Sequence, residues 1–216
     1  MHKFPGIKVK NNPSNNLSKD VCDALETINS KPSGTHLLRS IASLANEEKF
    51  VLIKNARLAE DIACVPQLTA KDLEKLINKF GLDFTQKEYD DMRIKQSSSS
   101  TPFKRRGCSA TIRWNKELSQ PLLDPEGGPI PGTCPEYAYI TLAHELVHAK
   151  HQLAGTCKYS GDLNPSEKSA TTRSGKEELR AIGLGKYAYS GEPSENTIRQ
   201  EHGLPKRLKY TLSGGW

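Results

Sequence analysis

Hydrophobic residues recur at helical spacing in several stretches of this chain and alternate in two short ones. Val21, Leu25 and Ile28 share one helical face, and Leu37, Leu38, Ile41 and Leu44 share another, which predicts helices over about 19–31 and 34–47. Lys49 to Lys54 (Lys-Phe-Val-Leu-Ile-Lys) reads as a strand, and Ser109 to Trp114 alternates as a second one. Thr69-Ala-Lys-Asp72 and Thr85-Gln-Lys-Glu88 open two further helices, the second with a capping-box pattern. The serine-rich stretch from Gln96 to Thr101 is expected as a joint. The most apolar helical pattern runs over about 136–153: Tyr139, Ile140, Ala143, Leu146, Val147 and Leu153 repeat with a period that leaves most of the helix buried. Pro135-Glu136 suits its start, and Gly155 is a fitting stop. The Pro/Gly-rich stretch 121–134 and the polar stretch 156–175 are loops on either side of it, placed to wall or cover a cleft.

Composition narrows this picture. A length of 216 residues fits one domain with a real core, while 35% hydrophobic content and a mean hydropathy of −0.63 call for extensive polar loops. Residues 1–18 read as a flexible leader, compatible with type III export, and 19–216 as a single domain. No stretch approaches 18 apolar residues, so no membrane span is expected. Cys22, Cys64, Cys108, Cys134 and Cys157 are odd in number and contain no Cys-x-x-Cys pair, against a disulfide framework or structural zinc site and in keeping with a reducing cytosol. The net charge of +6 permits acidic partners, yet its clearest cluster, Lys104-Arg105-Arg106, lacks interleaved aromatics and reads as a solvated loop, so no nucleic-acid partner is expected.

The chemistry sits in the long buried helix. His144-Glu145-Leu146-Val147-His148 puts two imidazoles four positions apart on one face, with a carboxylate beside the first. With 6 histidines in 216 residues, a chance His-Glu-x-x-His is expected in roughly one such chain in a hundred. Two imidazoles so placed can hold one zinc ion, and zinc with an open position activates water near neutral pH. A catalytic zinc usually takes a third protein ligand. The extended metzincin pattern is excluded, since it needs glycine at 151 and histidine at 154 where this chain has His151 and Ala154. His151 shares the face of His144, but ligands seven positions apart on one straight helix lie about 10 Å apart, which favours a supporting or packing role. The better source is Lys176-Glu177-Glu178-Leu179-Arg180, expected as a second short helix. Adjacent residues on a helix point about 100° apart, so Glu177 and Glu178 cannot both face the metal.

These segments carry a resemblance. His144 to Gly155 followed by Glu177-Glu-Leu-Arg-Ala-Ile-Gly183 resembles the zinc-protease light chains of clostridial neurotoxins, and more extensively the NleD-like family of type III effector metalloproteases. The effector match extends to Ser174–Tyr187, to Ser194–Pro205, and to Pro32-Ser-Gly with Leu37-Leu-Arg-Ser-Ile-Ala. The resemblance implies that Glu177 is the third zinc ligand and Glu178 supports it from behind. It also implies that Arg207 and Tyr210, matching an Arg-x-x-Tyr element in Arg207-Leu-Lys-Tyr210, stabilise the oxyanion opposite the metal. By analogy with zinc proteases of this design, Ser109–Trp114 is an edge strand that pairs with extended substrate.

The resulting expectation is an α+β, zincin-like metalloprotease domain with a small mixed or antiparallel sheet and one zinc ion per chain. His144, His148 and the third ligand hold the metal, and Glu145 is the general base. The family implies a monomeric effector that enters a host cell's cytoplasm and cleaves a host protein. In animal-directed relatives the targets are mitogen-activated protein kinases. Two rivals stand beside this reading. A non-catalytic, zinc-containing effector that docks a host protein has no use for Glu145. A basic nucleic-acid-binding domain lacks a recognition motif.

Overall fold

The helix that carries the histidines is the pivot of the architecture. The computed structural model describes residues 3–10, 16–97, 107–158 and 173–209. A short 3-10 turn at Pro135–Tyr137 leads into α5 (Ala138–Leu153), where thirteen side chains are buried. The helix ends as its sequence demands. Gly155 takes the left-handed φ of +65°, its N–H bonds Gln152, and Thr156 N bonds back to His151, which satisfies the last carbonyls. Lys49 Nζ caps the Leu153 carbonyl at 2.9 Å from across the fold. At the other end the Trp114 indole donates to the Ala138 carbonyl at 3.2 Å, docking the first turn of α5 on the sheet.

That sheet is mixed and four-stranded, in the order β1 (Ile7–Val9), β2 (Val51–Asn55), β4 (Ser109–Trp114), β3 (Ala63–Gln67). β2 runs parallel to both β1 and β4, with Val51 opposite Ala110 and Ile53 opposite Ile112. β3 returns antiparallel on β4, with Cys64 opposite Ile112. One face of the sheet packs against α5, and α1 (Leu17–Asn29) and α2 (Pro32–Leu44) pack on α5 as well. The core is continuous from Val21, Leu25 and Ile28 through Ile41 to Ile53, Ile112, Leu142 and Leu146. The helices α3 (Ala70–Phe80) and α4 (Gln86–Ser97) follow β3. The helices α6 (Arg173–Ile182) and α7 (Glu195–Glu201) pack against α5. The fold is thus α+β with a small mixed sheet and, among the described residues, seven α-helices.

Three details depart from the sequence-based expectation. Ser109–Trp114 is an interior strand paired on both sides, and the antiparallel edge is β3 instead. Proline at position 66 hides β3 from pattern reading but is tolerated on an edge, where a missing N–H costs the ladder least. The stretch 1–18, expected as a flexible leader, contributes β1, buried Phe4 and Ile7, and the start of α1, so part of it is built into the sheet and core. The expected joint lies outside the described residues beyond Ser97, as do Lys104–Arg106, 159–172 of the second loop, and Tyr210. Among the described residues no helix is long and apolar enough to cross a membrane. None of the five cysteines, all among the described residues, forms a disulfide, and burial pushes the Cys108 thiol up to about 12.

Candidate metal centre

His144 and His148 stand one turn apart on α5, and their Nε2 atoms are 3.1 Å from each other. The Glu178 carboxylate from α6 completes the group, with Oε2 3.3 Å from His144 Nε2 and Oε1 3.3 Å from His148 Nε2. Ligand atoms about 2.0–2.1 Å from a tetrahedral zinc stand about 3.3 Å apart, so these spacings suit that ion. Among the described residues, His144, His148 and Glu178 form the group able to hold a metal.

The opposite edge of each imidazole is fixed by a different carboxylate. Glu195, at the start of α7, accepts from His144 Nδ1 at 3.0 Å. Glu177 accepts from His148 Nδ1 at 3.4 Å and from His151 Nδ1 at 2.5 Å, while its second oxygen takes the Lys158 backbone N–H at 2.9 Å. An Nδ1 proton committed to a carboxylate leaves the Nε2 lone pair for a metal, which is the arrangement that orients and strengthens histidine ligands.

The acidic pair sits the other way round from the expectation. Glu177, expected as the ligand, points away from both Nε2 atoms and is fully buried among His148, His151 and Lys158. Glu178, expected as its support, faces both Nε2 atoms, and its side chain is 21% exposed. The α6 backbone brings one neighbour toward the imidazoles and the other behind them. His151 does not join the Nε2 group; it holds Glu177 from the far side.

Electrostatics follow from this packing. Burial acts to lower the His144 pKa, but Glu178 and Glu195 outweigh it and raise the ring to about 9. Burial likewise opposes charge on His148, and Glu178 with Glu177 raises it well above the usual value. Glu178 itself is held well below the carboxylate range: burial opposes this, and the two imidazoles prevail. Glu145, one position beyond His144, behaves differently. Burial raises its pKa, and the two imidazoles and a backbone hydrogen bond from Cys64 on β3 only partly offset that. A carboxyl with raised basicity within electrostatic reach of both imidazoles is suited to take up a proton.

Arg207 joins the cluster through Glu195. Its Nη1 is 3.4 Å from Glu195 Oε2, the atom that also holds His144, and its side chain is 19% exposed. Glu195 is buried and further held by Arg199 Nε at 2.7 Å. Sequence reasoning passed over Glu195, because its partner is 51 positions away. The available signal was an acidic residue just after Ser194, whose side chain caps α7.

A family model described as Peptidase M91, effector protein, matches residues 6–210. No curated protein matches the chain.

Proposed function

Because the chain belongs to the Peptidase M91 family of effector proteins, we propose that it is a zinc-dependent endopeptidase of zincin type that cleaves a protein inside a host cell. The reading is supported above all by one observation. Two imidazole Nε2 atoms and a carboxylate converge at tetrahedral spacing, and each imidazole has its Nδ1 committed to a second carboxylate.

His144, His148 and Glu178 would hold the ion, one per chain. Zinc bound there supplies Lewis acidity and brings the acidity of a coordinated water near neutrality. Glu145 takes a proton from the attacking water and passes it to the leaving amine, a role that fits its burial-raised basicity. Arg207, with Tyr210 three positions on, stabilises the charge that develops on the carbonyl oxygen. The outer edge of β3 carries backbone groups without a strand partner among the described residues, and an extended substrate segment can add to it. This moves the substrate-strand role from Ser109–Trp114 to Ala63–Gln67. Residues 19–216 act as one catalytic domain with β1 pinned to its sheet, and the protein reaches the host cytoplasm through a type III system.

The test is a comparison of new N-termini in host extract treated with the wild-type protein or with Glu145→Ala, each with its zinc content measured. Cleavage confined to the wild type, at equal zinc, supports the proposal. Equal cleavage by both would end it. Zinc in both with no new N-terminus in either would favour a non-catalytic effector that docks a host protein.

A further inference from the structure

Arg207 is gripped on both flanks, and we infer that the Asn196 amide and the Gly127 carbonyl form a clamp that positions its guanidinium beside the metal centre. The inference rests on the proteolytic reading, in which Arg207 meets the reacting carbonyl.

The first jaw is a side chain imitating a strand partner. Asn196 Oδ1 accepts from Arg207 N at 2.8 Å, and Asn196 Nδ2 donates to Arg207 O at 2.8 Å. Asn196 is buried and directly follows Glu195. Two adjacent residues in the first turn of α7 thus hold the two halves of the site: Glu195 fixes the His144 ring, and Asn196 fixes the Arg207 backbone. Their register sets the spacing between metal ligand and arginine.

The second jaw is a tight turn in the stretch 121–134. Ile130 N bonds Leu122 O, Asp124 N bonds Gly128 O, and Asp124 Oδ1 accepts from Gly128 N at 2.7 Å, which closes the turn around Gly127. Gly127 O then accepts from Leu208 N at 2.8 Å and from Lys209 N at 3.2 Å. Only glycine fits here. Its φ is +73°, and a Cβ would lie 2.7 Å from Leu208 Cγ and 2.9 Å from Leu208 N. The base of the turn is tied back to α7, because Arg199 Nη2 donates to Pro121 O at 2.7 Å while Arg199 Nε holds Glu195. The connections form a closed circuit from α7 through the turn to the arginine segment and back to α7. A long arginine side chain starting from an unheld backbone would sample many rotamers. Here the backbone is held at both flanks, and the side chain is met by the Lys209 carbonyl at Nε (3.3 Å) and by Glu195 at Nη1 (3.4 Å), which narrows that choice.

The clamp is tested on the full chain with Asn196→Ala and, independently, Gly127→Ala. Phenylglyoxal labelling is followed at each arginine by peptide mass spectrometry, alongside zinc content and cleavage rate in host extract. Labelling of Arg207 is expected to rise at least fivefold relative to exposed Arg57 and Arg113, with buried Arg199 still protected and zinc unchanged. Cleavage should fall at least tenfold in each variant. Combined with Arg207→Ala, neither substitution should lower the rate below that of Arg207→Ala alone, because both act through that residue. Unchanged Arg207 labelling in both variants, additive losses in the double variants, or Arg199 labelling that rises in step would each overturn the inference. Failure of the proteolytic reading would show instead as full cleavage by Glu145→Ala, and the labelling does not depend on that outcome.

Discussion

Glu177 and Glu178 are neighbours with opposite duties, and exchanging their side chains one at a time separates those duties. Glu178→Ala removes one of three proposed metal-binding groups at a position that is 21% exposed, so water fills the gap and no buried donor other than the imidazole edges loses a partner. Structural zinc sites gain about 10–16 kcal/mol from four ligands, or about 3 kcal/mol each, so the loss should weaken zinc binding by about a hundredfold or more. The metal-free protein should also melt lower at pH 7, because Glu178 holds charge on both buried imidazoles, and that difference should shrink as rising pH neutralises the rings. Glu177→Gln keeps the volume of a side chain with no exposure, but its amide has one oxygen where two accept from His148, His151 and Lys158. At least one buried donor must then face an NH2 group. An orphaned buried donor costs about 1–3 kcal/mol, and lost charge assistance adds to it, for a total of about 2–4 kcal/mol. At about 2–4 °C per kcal/mol for a domain of this size, the metal-free protein should melt roughly 5–15 °C lower. Zinc affinity should fall about 10–100-fold, the usual effect of disturbing a ligand's outer partner. Calorimetric melting of the metal-free variants and zinc titration against a competing chelator dye measure the two quantities. The reasoning is refuted if Glu178→Ala binds zinc within tenfold of the wild type, or if Glu177→Gln loses zinc without melting earlier.

The other expectations are as follows. Glu145→Gln should retain zinc within about twofold and lose about 10²–10⁴ in turnover, the usual contribution of a general base; cleavage at wild-type rate would remove Glu145 from the mechanism. Arg207→Ala should lower kcat about 10²–10³-fold with zinc unchanged, as measured by single-turnover cleavage, and an effect on KM alone would make it a binding residue. Metal binding at pH 7 should release at least one proton, because both rings are raised, His144 to about 9, and a ring must give up its Nε2 proton to bind. Calorimetry in two buffers of different ionisation enthalpy counts those protons. Affinity should rise by up to about a hundredfold per pH unit below neutrality, and release of less than one proton would contradict the charged state of the rings.

What could be read in the chain was whatever one element carries by itself. The period of Ile140, Ala143, Leu146 and Val147 and the stop at Gly155 defined α5, and the spacing of His144 and His148 defined its chemistry. Strands β2 and β4 announced themselves by composition, with bounds close to those observed. β3 did not, because Ala-Cys-Val-Pro-Gln has no alternation and contains a strand breaker that only an edge forgives. The order of strands depends on which edges meet, so the interior place of β4 was invisible to local pattern. The acidic pair shows the same limit more sharply. Helical geometry says that only one neighbour faces the metal, but the choice is made by what lies behind the helix. His151 and the Lys158 N–H gather one carboxylate away from the centre.

Charge explains why so many carboxylates can be packed around this centre. Glu177 and Glu195 are buried, Glu145 nearly so, and Glu178 is only partly exposed. Arg199 and Arg207 bring two positive charges, both to Glu195, so the four carboxylates exceed the arginines by two charges. In the metal-free protein that excess of negative charge favours protons on His144 and His148, which is why both pKa values are raised. A divalent cation bound to neutral imidazoles supplies the same two charges at the same Nε2 atoms. In the proposed reading, zinc would take over the charge that protons carry in the metal-free protein, and a buried cluster of this kind costs the fold least when one or the other is present. Burial raises the basicity of Glu145, and the two imidazoles hold that rise in check.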